Sequence, residues 1–389
     1  MSKIVAIIAE YNPFHNGHKY QIDRIREEIP NATIIAIMSG NIVQRGELAF
    51  LDKYARAEMA IKCGIDAVFE LPFPYSCSTA EIFASAGVEI ASKLGAEYLY
   101  FGIESDNLNE LENIADAMES EKFEEYLANL NEEQFTSYPV LREKALKKMG
   151  IDVSKSSNDM LAIEYIRAIK NKKLPLEYRA IKRTGAGYNS RAVCEIMSAR
   201  AIREQFNKNK VVLSVPENIK SIIEREWESG RINDKSATNR FILTSMLFAT
   251  SNDIDNSFDV PNGMGGLIIS TAKKCKNPEC YTDELSAKSY TTARLKRAIM
   301  YYLFKVNSIN KCPEFTVLLG ANEKGKNVIK KSRKTANIDI ITKHSDAKGL
   351  SQGSYDIYEK GLKADEVFAS LCQSPYSPDE IYKKTPYIE

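Results

Sequence analysis

The chain has 389 residues, 44% of them hydrophobic and 27% charged, a balance that supports one large core or two and excludes disordered and collagen-like chains. Its 53 Lys+Arg and 52 Asp+Glu leave a formal charge of +1, so the total charge points to no polyanionic partner. No apolar run reaches the roughly 18 residues of a membrane span, the opening Met1-Ser2-Lys3 leads into too short a run for a secretory core, and seven scattered cysteines form no disulfide framework; a cytoplasmic protein with reduced thiols is expected.

In chain order, short apolar runs at Ile4–Ala9, Thr33–Met38, Asp66–Glu70 and Tyr98–Gly102 alternate with stretches of helical spacing at Lys19–Glu28, Lys53–Lys62 and Thr79–Leu94. This alternation predicts an α/β, Rossmann-like parallel sheet with crossover helices. Ligands of such sheets bind at the carboxyl ends of the strands, so the segments after Ala9, Met38, Glu70 and Gly102 should border one crevice. Glu104–Glu133 reads as acidic, solvated helix, and Ser156–Ile169 as a helix capped at Ser157 or Asn158. Leu176–Lys182 reads as a strand entering the Gly-rich Arg183-Thr184-Gly185-Ala186-Gly187-Tyr188. A helix starts near Ser198, and Pro216 to about Ile242 continues in helical pattern.

Residues 271–348 hold 17 Lys+Arg and 7 Asp+Glu, a net +10 that leaves −9 on the rest of the chain. Here Arg294-Leu295-Lys296-Arg297 and Lys330-Lys331-Ser332-Arg333-Lys334 are interleaved with Tyr281, Tyr290, Tyr301, Tyr302 and Phe304. Such a pattern suits a phosphate backbone and unstacked bases, while a solvated basic face explains the composition nearly as well. The division expected is residues 1–205 as the sheet domain and 206–389 as a mostly helical, basic C-terminal region. Cys275 and Cys280 read as ordinary loop cysteines rather than half of a zinc site, and Trp227 and His344 read as packing residues.

Two of only three histidines stand three apart, in Glu10-Tyr11-Asn12-Pro13-Phe14-His15-Asn16-Gly17-His18, directly after the first strand. A His-x-Gly-His at a strand-to-helix junction puts two imidazoles beside the free amides of a helix start, where an anion is favoured, and Gly17 removes a side chain that would block a phosphate. The pattern suits a triphosphate cradle in which His15 and His18 stabilise the charge that grows on departing pyrophosphate. Paired histidines also serve metals, but no third ligand is near them.

This motif resembles the signature of the HIGH-motif nucleotidyltransferase superfamily, and Ile196-Met197-Ser198-Ala199-Arg200-Ala201-Ile202-Arg203 resembles its second, hydroxyl-and-arginine element at a helix start. Together with Met38-Ser39-Gly40-Asn41-Ile42-Val43-Gln44-Arg45-Gly46-Glu47, Glu70-Leu71-Pro72, Phe101-Gly102 and Lys182-Arg183-Thr184-Gly185-Ala186-Gly187-Tyr188, the chain is similar to the bacterial tRNA(Met) cytidine acetate ligase family. The resemblance carries clear motifs from residue 1 to about 205. It implies that acetate and ATP give acetyl-adenylate, and that the acetyl group passes to N4 of the wobble cytidine of elongator tRNA(Met), forming N4-acetylcytidine.

The resemblance further implies an ATP site of Ile7, Ile8, Ala9, Glu10, Tyr11, Asn12, Pro13, Phe14, His15, Asn16, Gly17, His18, Lys19 and Tyr20, with Gly102, Asn158, Arg183 and Thr184; Ser198 and Arg203 would meet the outer phosphates. Where the family has a small hydroxyl residue after Ser-Ala, this chain has Arg200. Mg²⁺ bridging the phosphates is the usual helper, though no carboxylate cage is readable. Asn41, Gln44, Arg45 and Lys53 are candidate substrate or RNA contacts or, equally, a polar loop capped by Asp52. Arg333 and Lys334 are candidate RNA contacts, and Glu70-Leu71-Pro72 would shape the acetate end of the pocket. Adenylyl transfer to a small phosphorylated metabolite and a non-catalytic nucleotide- or RNA-binding protein of the same fold are the rival readings.

Overall fold

The computed structural model describes residues 2–130, 138–152, 156–183, 197–209, 214–287, 289–310, 312–335 and 337–389. The first part alternates strand and helix: β1 (Ile4–Ala9), α1 (Asn16–Glu28), β2 (Thr33–Ser39), the short hairpin strands β3 (Ile42–Val43) and β4 (Glu47–Leu48), α2 (Lys53–Lys62), β5 (Ala67–Leu71), α3 (Ala80–Lys93) and β6 (Tyr98–Ile103). Next come α4 (Leu108–Met118), α5 (Glu121–Leu130), α6 (Tyr138–Lys148), α7 (Ser157–Asn171) and β7 (Glu177–Lys182). The remainder is mostly helical: α8 (Ala199–Asn209), α9 (Glu217–Glu228), α10 (Lys235–Phe248), α11 (Ser251–Asp255), α12 (Met264–Lys274), α13 (Tyr281–Glu284), α14 (Thr292–Leu303), β8 (Phe315–Ala321), α15 (Glu323–Thr335), β9 (Asp339–Ile341), α16 (Gln352–Ser370) and β10 (Tyr387–Ile388).

The sheet runs β10-β8-β5-β2-β1-β6-β7, with β9 on the other edge position of β8. Strands β5, β2, β1, β6 and β7 are mutually parallel, so the order turns back at β1 and opens a crevice between the carboxyl ends of β1 and β6. The central strands are apolar on both faces because both faces are covered: Ile4 and Ala6 pack with α3 and α7, while Val5 and Ile7 pack with α1, α2 and α9. A third core lies among α10, α12, α14 and α16.

The expected boundary at residue 205 does not coincide with a break in the sheet. β8 joins β5 antiparallel, with Ala67 opposite Ala321 and Phe69 opposite Leu318, and β9 and β10 pair in turn with β8. The C-terminal region therefore closes the sheet edge that the first hundred residues leave open. The helical run expected from Pro216 to Ile242 is two helices, because Gly230 turns at φ +67° between α9 and α10. No helix among the described residues is long and apolar enough to cross a membrane.

Candidate active site

β1 ends at Ala9, and the loop from Glu10 to Phe14 carries the chain to His15, which is itself the N-cap of α1 in extended conformation. The His15 Nδ1 accepts the Gly17 N–H at 3.0 Å, and the His18 Nδ1 accepts the His15 N–H at 3.2 Å. This reciprocal cap uses imidazoles where Ser and Glu usually serve. It fixes the tautomer: with both Nδ1 atoms accepting, each neutral ring carries its proton on Nε2. The rings stack at a centroid distance of 3.7 Å and 20° apart. Burial, then the Arg183 charge, pushes His15 down to about 3, and burial with the neighbouring ring and Arg183 holds His18 well below its ordinary value. Both are neutral Nε2–H donors at physiological pH.

The helix-start amides differ from the open cradle expected from the sequence. Asn16 N–H bonds the Ser214 carbonyl at 2.9 Å, Gly17 N–H bonds His15, and His18 N–H returns to the His15 carbonyl at 2.9 Å. The first turn is thus satisfied within the protein, which leaves the two imidazole Nε2–H groups as the donors for an anion.

The loop is held from three sides. Arg56, fully buried on α2, donates to the carbonyls of Glu10 (2.6 Å), Ser39 (3.0 Å), Gly40 (2.6 Å) and Leu51 (3.0 Å), so one guanidinium ties together the ends of β1 and β2. Burial lowers its pKa to about 10. Asn12 accepts the Phe50 N–H at 2.7 Å, and Arg203 on α8 donates to the Asn12 carbonyl at 2.5 Å. Gln44 donates its N–H to the Glu10 carboxylate at 3.0 Å, whose pKa burial raises. Tyr11, at φ +45°, and Phe14 pack against the His18 ring.

Across the crevice, Gly102, next to last in β6, lies beneath the Arg183 side chain; a Cβ there would sit 3.1 Å from the Arg183 Cγ. Arg183 follows β7 and lies within electrostatic reach of both histidines. Asn158 stands in the first turn of α7, donating to Glu104 at 2.6 Å, while the buried Asp159 accepts from the Glu104 and Ser105 N–H groups. Ser156, rather than Ser157 or Asn158, is the N-cap of that helix. The structure thus sets Arg183 beside Gly102 and within electrostatic reach of His15 and His18, and Arg203 on the Asn12 carbonyl, while Asn158 meets Glu104 just beyond β6. Lys19, on α1, is paired with Asp23 on the same helix. Thr184 lies outside the described residues. Ser198 accepts the Ala201 N–H at the start of α8, and Arg200 pairs outward with Glu204, so Arg203 and not Arg200 meets the loop.

Other candidates lie elsewhere. Asn41 and Lys53 are buried in a polar network: the Lys53 Nζ is 2.8 Å from Glu70 and 2.7 Å from Asp365 on α16, and Asn41 bridges Asp52 and Asp365. Glu70 is engaged there, too. Burial pushes the Asp365 carboxyl up to about 7 beside its like-charged neighbour, against the pull of Lys53. Gln44 stands beside Glu10, and Arg45 is exposed at the hairpin. Arg333 and Lys334 sit on α15, which crosses the amino ends of the strands: Gly325 packs on the Asp66 carbonyl, Ser332 bonds Leu94, and Lys331 faces Glu97. They are at the opposite end of the sheet from the histidines. Cys275 and Cys280 both contact Asn277, and Cys275 also packs against the third core; Trp227 packs on Phe206, and His344 bonds the Tyr358 hydroxyl at 3.0 Å. Among the described residues no three metal-ligating side chains converge.

Sequence reading missed Arg56, Ser214 and Asp365. Arg56 reads as one more charge on an amphipathic helix; the signal that sets it apart is its Ala55 and Ala57 neighbours within a helix that is buried nearly all round.

The chain matches the model of the HIGH Nucleotidyl Transferase family over residues 2–382. It is 34% identical to the tRNA(Met) cytidine acetate ligase of Caldanaerobacter subterraneus subsp. tengcongensis, covering 94% of each chain. Two crystal structures of Thermotoga maritima TmcAL superpose with TM-scores of 0.89 (apo, 25% identical) and 0.86 (bound with alpha-thio ATP, 24% identical), each covering 99% of both chains. With the histidine pair at the head of the crevice and these relatives matched along their whole length, the chain belongs to the HIGH nucleotidyl transferases and, within them, to the tRNA(Met) cytidine acetate ligase family.

Proposed function

We propose that the chain is an ATP-dependent ligase that activates acetate as acetyl-adenylate and transfers the acetyl group to N4 of the wobble cytidine of elongator tRNA(Met). The observation that carries the reading is the pair of neutral Nε2–H donors, His15 and His18, with Arg183 facing them at the carboxyl ends of β1 and β6. Acetate is anionic at neutral pH, so its oxygen attacks the α-phosphorus without a general base, and the P–O bond to pyrophosphate breaks. The negative charge that builds on the departing group meets two donors and a guanidinium already in place. In the second step the N4 amine attacks the acetyl carbonyl carbon, the carbonyl–oxygen bond to AMP breaks, and one N4 proton is released.

In this reading ATP lies along Ile7–Tyr20 with Gly102, Asn158 and Arg183, and the region beyond residue 206 presents the tRNA. The activity would be cytoplasmic, where ATP and tRNA meet. The test is pyrophosphate release from ATP with acetate and tRNA(Met) added separately and together, followed by nucleoside mass analysis. Acetate-dependent release and a cytidine heavier by one acetyl group are expected; release indifferent to both additions would overturn the proposal.

A further inference from the structure

A second cleft, of about 100 Å³, lies between the β3–β4 hairpin, α8, α10 and α14, several times the space that one water needs. It shares walls with the catalytic loop. Phe50 and Arg203 both line it, and both are bonded to Asn12; the hairpin that supplies Gly46, Glu47 and Leu48 is bonded to Glu10 through Gln44. Gly46 makes this approach feasible: it turns at φ +76° with the α14 backbone so close that a Cβ would sit 2.6 Å from the Arg297 nitrogen.

The lining divides by chemistry. Phe50, Leu48, Ile242 and Met300 give apolar walls, Arg203, Lys235 and Lys296 give three cations, and Glu47 is the one carboxylate of the lining; Asp283, outside it, pairs with Lys235 at 2.6 Å and lies 4.0 Å from Lys296. Lys296 donates to one Glu47 oxygen at 2.6 Å, and no described residue donates to the other. Burial works to raise the Glu47 carboxyl, but Lys296, Arg203 and Lys235 hold it below its ordinary value, so it is an ionised acceptor. Asn239 is already occupied, with Thr282 donating to its oxygen and its own amide donating to Glu279.

We propose that this cleft receives the target cytosine, unstacked from its RNA loop, with the free Glu47 oxygen accepting from the exocyclic amine and the three cations meeting the flanking phosphates. The inference rests on the activity proposed above. A planar base suits apolar walls, a carboxylate is the natural acceptor for the cytosine amine, and uracil would turn a carbonyl oxygen toward the same carboxylate. The site therefore discriminates at the atom that is acetylated.

The experiment compares the wild-type chain with Glu47→Gln and Glu47→Asp in three measurements: acetate-dependent ATP–pyrophosphate exchange without tRNA, acetylation of tRNA(Met), and affinity for tRNA carrying cytidine or uridine at the wobble position. Glu47→Gln should keep exchange within about twofold, lose at least tenfold in acetylation, and lose the preference for cytidine; Glu47→Asp, which keeps the carboxylate, should retain that preference. Unchanged acetylation in Glu47→Gln, or exchange falling together with acetylation, would overturn the assignment, the latter by placing Glu47 with the acetate or ATP. Wild-type protein that shows no acetate-dependent exchange would instead sink the activity itself, and the cleft assignment with it.

Discussion

At the scale of single residues, stabilising the departing pyrophosphate depends on which imidazole nitrogen carries the proton. Because backbone N–H groups occupy both Nδ1 atoms, a replacement that offers a donor at the Nε2 position should outperform one that mimics Nδ1. His18→Ala is expected to slow acetate-dependent exchange by about 10²–10³-fold, and His18→Gln should recover more of the rate than His18→Asn, as measured by exchange under saturating ATP. The neutral state also sets the pH behaviour. With His15 near 3 and His18 also held down, the exchange rate should show no histidine inflection between about pH 6 and 8. Stability carries the opposite mark: an unfolded histidine binds a proton near 6.5 while the folded one refuses it, so stability declines as pH drops from about 6.5. Thermal midpoints read from neutral pH downward should fall, and fall less steeply when both histidines are replaced by Asn.

At the scale of elements, the buried network at the start of α2 joins it to β5 and α16 through Lys53, Glu70 and Asp365. Removing the cation leaves two buried carboxylates facing each other, so Lys53→Met should cost about 3–5 kcal/mol. Asp365→Asn keeps the Lys53–Glu70 pair, relieves the like-charge contact, and should cost far less; urea titration of both variants checks the order. The same elements show what a sequence reveals. Strands β1, β2, β5 and β6 were legible because burial on both faces forces an unbroken apolar run, and the His-x-Gly-His segment was legible because its chemistry is local. β8 carries a similar run, Phe315-Thr316-Val317-Leu318-Leu319-Gly320-Ala321, but its pairing with β5 is long-range and writes no local pattern. For the same reason nothing near His15 signals that Ser214 caps Asn16, and nothing near Lys53, read equally as a crevice contact or part of a polar loop, signals that it meets a carboxylate on α16.

At the scale of the whole molecule, charge polarity in sequence does not translate into one basic face at the crevice. The basic stretch is split between α14, whose Lys296 lines the second cleft, and α15, which crosses the amino ends of the strands. Replacing Arg333 and Lys334 together by Glu should therefore leave tRNA acetylation within about threefold at about 0.15 M salt. Lys235→Glu, at the cleft, should weaken it more and steepen its response to salt. Acetylation rates over a salt series distinguish the two; equal losses from both ends of the sheet would mean that the RNA wraps the molecule.

The antiparallel placement of β8 also dictates a timetable for synthesis. β5 leaves the ribosome early with one edge unpaired, and the strand that covers it follows roughly 240 residues later, an interval of about 12–50 s at ordinary elongation rates. Through that interval Ala67–Leu71 presents open backbone N–H and C=O groups on an apolar strand, a template for stray pairing. Nascent chains stalled before residue 315 should accordingly recruit chaperones, and the requirement should vanish once β8 has emerged.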